Sequence, residues 1–265
     1  MVKVKVHVCS GELESWDTLW KWKWFTKDVW ESRYWEEERA ALRPLLRLLR
    51  KLNVRSILDC SCGLGFKTIL FAKEGYEAEG SDGSPTAIKY APLLAKQEGV
   101  KIRFFLSRYD ELSRKAKRKY DCVFSDNFDE IGTYRKMKSA AESIHSILNE
   151  NGKLVFSGVS RETSKNDLKK LIEKEWKARK KFDVDQPYEK RGRRVLRIEV
   201  NEKTPEGILE NNIFIIESKG TIQIEIVPLM NPRIKWTWND YHKVLRQVGF
   251  RKVYHTKENF IIAIK

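Results

Sequence analysis

Apolar residues along this chain occur either in short continuous runs, which predict strands, or at helical spacing, which predicts helices. The two patterns alternate along the chain. Short apolar runs predict strands at 56–58, 76–82, 100–106, 120–125 and 153–157, and helical spacing predicts helices at 66–73, 85–97 and 135–148. Strands that alternate with helices favour an α/β fold with a doubly wound, mostly parallel sheet. Ligands of such sheets bind at the carboxyl ends of the strands.

The pattern changes after residue 160. A charged helix is predicted at 164–181, followed by strands at 195–200, 213–217 and 221–227, a helix at 239–248, and a closing hairpin of 251–254 with 260–264. The hairpin completes a seven-stranded sheet. We therefore predict one domain over 53–265, with 182–235 inserted as an antiparallel β-meander.

A turn rich in glycine joins the first predicted strand to its helix, and it carries the most specific signal in the chain. Gly63 and Gly65 have no Cβ, so the backbone can bend sharply and let a ligand approach. Their amides lie at a helix N-terminus, which favours a negative group. Asp82 ends the next strand, where its carboxylate could accept hydrogen bonds from both hydroxyls of a ribose. The turn and this acid together predict a nucleotide-cofactor site, and a plain helix cap beside a solvated aspartate is the structural alternative.

Two classes of cofactor suit such a turn. A dinucleotide fingerprint needs a third glycine at position 68, where this chain has Thr68, a branched residue. Asp59, at the end of the first strand, suits a ligand with a cationic amino-acid end. S-adenosylmethionine has such an end, so the spacing favours it over NAD.

The segment ILDCSCGLGFKTILFAKEGYEAEGSDGSPTAIKYA resembles class I S-adenosylmethionine-dependent methyltransferases. Within that superfamily it is most similar to the glycine N-methyltransferase and glycine/sarcosine N-methyltransferase group. The close part covers roughly residues 54 to 92, and looser agreement extends to about residue 160.

The resemblance implies contacts with the cofactor and with the methyl acceptor. The implied cofactor-binding residues are Asp59, Cys60, Ser61, Cys62, Gly63, Gly65, Asp82, Gly83, Ser84, Arg108, Tyr109 and Asp126, together with an N-terminal arginine that maps to Arg33 or Arg39. Asn127 and Arg161 are the implied substrate-binding residues. The family's Asp-His-Arg-Asn-Tyr run after the fifth strand is replaced here by Gly158, Val159, Ser160 and Arg161. Asp126 is a hypothetical aid to deprotonation of an amine, and no residue is predicted to be the catalytic base.

The N-terminal 52 residues form a predicted lid. Six of the nine tryptophans lie there, at positions 16, 20, 22, 24, 30 and 35, and a leucine stripe predicts a helix over 36–52. The rings could cover the mouth of the cofactor site, because aromatic faces suit adenine and a sulfonium. Simple packing of this segment onto the domain is the alternative.

Composition limits the class of protein and leaves the acceptor open. The 265 residues are 41% hydrophobic and 34% charged, and no apolar run approaches the ~18 to 20 residues that cross a bilayer. The four cysteines lack paired metal spacing, and two of them lie in the glycine turn. We therefore expect no metal site, no secretory leader, and a reducing, cytoplasmic setting.

The chain has a net charge of +15, which would attract nucleic acid or an acidic partner, although an ion-pair-rich surface explains it equally. The predicted function is methyl transfer from S-adenosylmethionine, by in-line displacement, to an amine of a small molecule or a protein. A tRNA or rRNA methyltransferase and a binding module without turnover are the alternatives.

Overall fold

A computed structural model describes residues 3–157 and 161–265 as two β-sheets with helices packed on them. The strands are β1 (Lys3–Val8), β2 (Ser56–Asp59), β3 (Glu77–Asp82), β4 (Arg103–Leu106), β5 (Tyr120–Ser125), β6 (Leu148–Phe156), β7 (Phe182–Val184), β8 (Tyr188–Lys190), β9 (Arg193–Thr204), β10 (Gly207–Ser218), β11 (Thr221–Arg233), β12 (Lys252–His255) and β13 (Ile261–Ile264). The helices are α1 (Glu12–Phe25), α2 (Lys27–Lys51), α3 (Phe66–Lys73), α4 (Pro85–Gln97), α5 (Leu112–Lys115), α6 (Tyr134–Ile147), α7 (Lys165–Ala178) and α8 (Trp238–Val248), with a 3₁₀ turn at Tyr109–Glu111.

The main sheet has seven strands in the order β12-β13-β6-β5-β2-β3-β4. Strands β2 to β6 run parallel, and β13 pairs antiparallel with β6 and with β12. All four residues of β2 are buried, because helices cover both faces of a parallel sheet. The predicted doubly wound α/β class, with its antiparallel closing hairpin, is confirmed.

Each face of this sheet has its own hydrophobic core. On one face the leucine stripe of α2 packs with α3 and α4, around Phe71 and Phe124. On the other face α6 and α8 pack against Tyr120 and Phe156. The sheet therefore packs between two layers of helices. This packing fixes the position of its carboxyl edge, the side of the sheet at which the parallel strands end.

Helix α2 begins at Lys27, nine residues before the predicted start at position 36. The prediction followed the leucine stripe only. In the structure the stripe continues towards the N-terminus as Trp30, Tyr34 and Trp35, whose rings pack on Phe66. Aromatic residues thus extend the same apolar face of the helix.

The second sheet is built on the predicted meander. Strands β9, β10 and β11 are 12, 12 and 13 residues long and antiparallel, and they extend well beyond the predicted runs. Polar residues on these strands, such as Glu210 and Asn212, interrupt the apolar pattern on which the prediction depended. Strands β7 and β8 pair with β9, and β1 pairs in parallel with β11. The N-terminal segment thus contributes a strand to the sheet of the proposed insertion.

Helix α1 lies between the two sheets. Its Trp22 ring stacks on Phe214 of β10 at 6.0 Å, and its Trp24 ring stacks on Tyr90 of α4 at 4.6 Å. The helix therefore joins the meander to the helical layer of the main sheet.

Many basic residues at the surface are paired with carboxylates. Arg118 contacts Glu77 and Glu79 at 2.5 and 2.9 Å, and Lys203 contacts Glu173 at 2.6 Å. Across 3–157 and 161–265, none of the helices combines the length and the apolar character that spanning a bilayer requires.

We expect the core around β2 to dominate stability. Ile57 is fully buried in the central strand, so Ile57→Ala should lower the free energy of unfolding by about 2 to 5 kcal/mol, because it leaves a cavity. Leu93→Ala is the matched control, since that side chain is 48% exposed on α4 and should cost less than about 0.5 kcal/mol. Urea denaturation followed by circular dichroism measures both, and equal losses would contradict the assignment of this core.

Candidate functional site

The glycine turn follows β2 at the carboxyl edge of the main sheet. Gly63 and Gly65 have φ angles of 50° and 88°, in the left-handed region that favours glycine. A Cβ at Gly63 would lie 2.5 Å from the Trp20 ring, and one at Gly65 would lie 2.9 Å from the Phe104 ring. Both glycines are therefore required by conformation and by contact, and the ring of Trp20 lies directly on the turn.

Asp82 connects the turn to the end of β3. One carboxylate oxygen accepts a hydrogen bond from the Gly63 amide at 2.9 Å, and the other accepts from the Ser84 amide at 2.8 Å. Burial raises the pKa of Asp82, and these two hydrogen bonds oppose the rise. Each oxygen keeps a further lone pair, so the carboxylate can still accept from ligand hydroxyls.

Asp59 is buried at the end of β2, with only 3% of its surface exposed. It accepts a hydrogen bond from the Thr68 hydroxyl at 2.7 Å. Burial raises the pKa of Asp59 to about 7, helped by the nearby charge of Asp126 and opposed by the Thr68 hydrogen bond. Thr68, which stands where a dinucleotide site would need glycine, therefore orients the acid. Sequence reasoning missed this role, and its one signal was a hydroxyl residue in the first turn of α3.

A partly buried ion-paired cluster lies at the end of β5. The ammonium of Lys67 contacts the Asp126 carboxylate and the Glu38 carboxylate, the latter at 2.9 Å. Ser157 donates to the second oxygen of Asp126 at 2.7 Å. Burial alone would lower the pKa of Lys67, but the two carboxylates raise it overall. Asp126 is thus a charge-paired anchor beside Asp59, and Lys67 and Glu38 are site residues that the sequence did not reveal.

Cys60, Ser61 and Cys62 support the turn from the protein side. The amide of Cys60 donates to the Phe124 carbonyl at 2.9 Å, and the amide of Cys62 donates to the Ser81 carbonyl at 3.0 Å. Both thiols are buried, and burial raises their pKa. The Ser61 hydroxyl accepts from the Asp126 amide at 3.1 Å. These three residues hold the turn to β3 and β5.

Tyr109 and Arg108 follow β4 and have different surroundings. The Tyr109 hydroxyl lies 2.9 Å from that of Ser125, and its ring meets Phe128 edge-on at 6.2 Å. Burial raises the pKa of this phenol well above its usual value. Arg108 is exposed and pairs with Asp110 at 3.1 Å. The structure therefore places Tyr109 beside the serine of β5 and leaves Arg108 at the surface.

Helix α1 covers the ends of β2 and β3. Asp17 accepts hydrogen bonds from the Ser84 hydroxyl at 2.6 Å and from the Thr86 amide at 2.8 Å, at the start of α4. A Cβ at Gly83 would lie 3.2 Å from a methyl group of Leu13. Sequence reasoning predicted an aromatic cover but did not identify Asp17 as its anchor. A lone aspartate among tryptophans gave no separate signal.

The other residues predicted to bind the cofactor or the substrate do not all lie beside the glycine turn. Arg33 is exposed on α2 and donates to Glu37 at 2.7 Å, and Arg161 donates to the Thr256 carbonyl. Arg161 also lines a cleft of about 230 Å³ with Trp238, near the end of β12. Asn127 stays close to the site, since its amide donates to the Ser125 hydroxyl at 3.3 Å. Gly158, Val159 and Ser160 lie outside the described residues.

Two further acids are buried on the loop after β5. Asp129 and Glu130 are 5% and 8% exposed, and one oxygen of Asp129 has no hydrogen-bond partner. Burial raises the pKa of Asp129 well above its usual value and that of Glu130 to about 7. Arg233 of β11 donates to the Glu130 carbonyl and lies 3.5 Å from Glu12. This acidic pocket joins the main sheet to the meander, and the sequence pattern gave no sign of it.

One small cluster near the N-terminus offers metal-ligand atoms. The donor atoms of His7, Cys9 and Glu14 lie within 4.8 Å of one another. His7 and Glu14 already pair at 2.8 Å.

The arrangement at the carboxyl edge suits a cationic nucleoside ligand. The two glycines allow the sharp turn after β2, the Trp20 ring covers that turn, and Asp82 has free lone pairs for hydroxyl donors. Asp59 is a buried acid whose charge is costly without a cationic partner. These features fit S-adenosylmethionine, which carries an adenosyl group and a positively charged amino-acid end.

Comparisons with known proteins show to which enzymes this chain is similar. The glycine/sarcosine N-methyltransferase of Parasynechococcus marenigrum is 28% identical over 113 residues, which are 42% of this chain and 40% of that enzyme. The chain spans about half or less of the length of the curated relatives that it matches.

Two solved structures share the fold. DesVI of Streptomyces venezuelae superposes with a TM-score of 0.63 at 15% identity, covering 90% of this chain and 97% of that one. The sugar N-methyltransferase KedS8 of a Streptoalloteichus species gives a TM-score of 0.59 at 15% identity, covering 83% and 84%.

A family model described as a methyltransferase domain matches residues 53–249, which is most of the chain. This stretch includes the glycine turn, both aspartates and the meander. The chain therefore belongs to the methyltransferase domain family.

Proposed function

We propose that this protein transfers a methyl group from S-adenosylmethionine to an amine of a small molecule. The observation that carries the proposal is a pair of acids, buried Asp59 and partly buried Asp82, at the carboxyl ends of adjacent parallel strands on either side of the glycine turn. Relatives named for glycine or sarcosine N-methylation, and a structural neighbour named as a sugar N-methyltransferase, support an amine as the acceptor. An RNA acceptor has no comparable support.

On the donor side, each residue has a distinct task. Asp82 accepts hydrogen bonds from the ribose, while its bonds to Gly63 and Ser84 hold it in place. Asp59, oriented by Thr68, faces the cationic amino-acid end. Tyr109 and the backbone of Gly83 form the wall of the site beside the adenine ring. Arg33 and Arg108 stay secondary candidates for the carboxylate and the adenine, since both are exposed.

On the acceptor side, the loop after β5 supplies carboxylates. Asp126 is neutralised by Lys67, whereas Glu130 has a pKa near 7 because of its burial. A carboxyl group that titrates near neutrality can accept the proton that a protonated amine must lose before it attacks. The Glu130 amide donates to the Asn127 carbonyl at 3.2 Å, so Asn127 lies beside this acid. Arg161 lies in the cleft near the end of β12 and stays a secondary candidate for an anionic group of the acceptor.

The chemistry requires alignment and shelter more than acid or base strength. The cofactor supplies a methyl group on a sulfonium, and the charge spreads to the incoming nitrogen in the transition state. Fixed hydrogen bonds at Asp82 and Asp59 align the donor. Trp20 on the turn and Asp17 at α4 hold α1 over the site and exclude water.

Calorimetry and product analysis test this proposal directly. S-adenosylmethionine should release binding heat and raise the melting temperature, whereas NAD should do neither. With small amines as acceptors, mass spectrometry should detect S-adenosylhomocysteine and the methylated amine. If the protein bound NAD but not S-adenosylmethionine, the assignment of the cofactor would be wrong. If tRNA were methylated but no amine were, the assignment of the acceptor would be wrong.

Replacement of Asp82 should weaken cofactor binding strongly. Asp82→Ala removes two charge-assisted hydrogen bonds that hold the turn and the acceptor for ribose hydroxyls. We expect the dissociation constant for S-adenosylmethionine to rise by roughly 100-fold, because each such bond is worth about 1.5 to 3 kcal/mol. Asp183→Ala on β7 is the control and should bind like the wild type. Unchanged affinity in Asp82→Ala would refute the ribose contact.

The charge state of Asp59 predicts a pH dependence of cofactor affinity. In the free protein burial holds its pKa at about 7, and a cationic ligand favours the ionised form, so binding releases a proton below that pH. Affinity for S-adenosylmethionine should therefore rise from about pH 5.5 to about pH 7, by up to about tenfold per unit, and then level off. Calorimetry in two buffers of different ionisation enthalpy measures the proton release.

Asp59→Asn is the matched variant, since its amide keeps the shape without the charge. This variant should bind S-adenosylmethionine more weakly than the wild type at pH 7, and its affinity should not rise between about pH 5.5 and about pH 7. If the variant kept the wild-type slope, another group would carry the proton and the assignment of Asp59 would be wrong.

A further inference from the structure

The two faces of the six-stranded sheet differ in what covers them. Its inner face carries Val195, Phe214 and Val227, which are buried under Leu19 and Trp22 of α1. Because side chains alternate along a strand, the residues between these point to the outer face. That outer face is almost as apolar as the inner one.

Cross-strand pairing places the outer residues in rows. One row contains Val184, Ile198, Ile213, Ile226 and Val8, which are successive partners across β7, β9, β10, β11 and β1. The next row contains Leu196, Ile215, Ile224 and Val6. Phe182 and Val200 flank the first row, and Ile222 and Val4 flank the second. The apolar surface is therefore continuous over five strands.

No element within 3–157 or 161–265 buries this surface. Every residue of the two rows is partly or fully exposed, with Val6 at 63%, and Phe182 beside them is 60% exposed. None of these side chains belongs to the four hydrophobic clusters of the described chain. A folded monomer rarely leaves an apolar patch of this kind in water.

We propose that this outer face is the interface between two copies of the chain, packed sheet on sheet. Strands about 4.8 Å apart and rows about 6.8 Å apart give a patch of roughly 24 Å by 20 Å. Such a patch covers about 480 Å², roughly three-fifths of the ~800 Å² per partner of a standard stable interface, and the rim around it would supply the rest. The side chains interdigitate as in a β-sandwich, and a twofold axis makes the surface self-complementary.

The charges around the face select a protein partner over nucleic acid or a membrane. Lys3 and Lys5 alternate with the valines of β1 and so point to the other side of the sheet. At one end of the rows Arg194 lies 3.5 Å from both Glu217 and Glu189, so this arginine is paired with carboxylates. A phosphate backbone or an anionic bilayer would need unpaired positive charge here.

Analytical ultracentrifugation of the full chain at micromolar concentration tests the proposal. The wild type should sediment as a dimer. Ile224→Lys, in the middle of the second row, should raise the dimer dissociation constant by roughly 100-fold, since a twofold interface loses the side chain twice. Ile224→Thr, which suits a strand, should give a smaller rise. Leu93→Lys, on α4, should leave the dimer unchanged.

The circular dichroism spectrum and the heat of S-adenosylmethionine binding show whether each variant is folded. A folded monomeric Ile224→Lys with an intact wild-type dimer supports the interface. A wild type that is monomeric at these concentrations overturns it. A dimer that survives Ile224→Lys also overturns it, as does binding of the wild type to anionic vesicles that Ile224→Lys abolishes.

Discussion

The carboxylate of Asp82 is the interaction on which the candidate site depends. It receives the amides of Gly63 and Ser84, so one side chain fixes the turn after β2 and the loop after β3 relative to each other. Hydrogen bonds from backbone amides to a carboxylate are among the stronger ones in proteins. The glycine turn, the start of α3 and the start of α4 then share one geometry. Helix α1 is attached to this unit through Asp17.

The site is costly to maintain without its ligand. Asp59, Asp82, Asp129 and Glu130 are all acids with raised pKa values in one region, and Lys67 and Arg233 provide only part of the opposing charge. Buried charge of one sign lowers the stability of the free protein and favours a cationic ligand. The hydrophobic cores on both faces of the main sheet offset the destabilising effect of these buried acids. Binding and folding are therefore linked at these residues.

Local signals in the sequence predicted part of this structure. Helices α3 and α4 have the predicted bounds, because Gly65 and Ser84 cap them and Pro85 fits the first turn of α4. The acid at the end of β3 was predicted from its spacing alone. In contrast, the pairing of β1 with β11 joins residues more than 200 positions apart, and no local pattern encodes it. The Thr68 bond to Asp59 and the position of Trp20 on Gly63 depend on the same long-range packing. The apolar outer rows were visible as alternation, but alternation does not show which face is covered.

The two thiols behind the glycine turn have a chemical consequence of their own. Only the thiolate reacts quickly with peroxides and alkylating agents, and burial keeps Cys60 and Cys62 protonated and shielded. Their amides are held by β3 and β5, so a reagent reaches either sulfur only when that hydrogen bonding breaks. The rate at which an electrophile labels these cysteines therefore reports how often the turn opens, and a bound adenosyl compound slows that labelling.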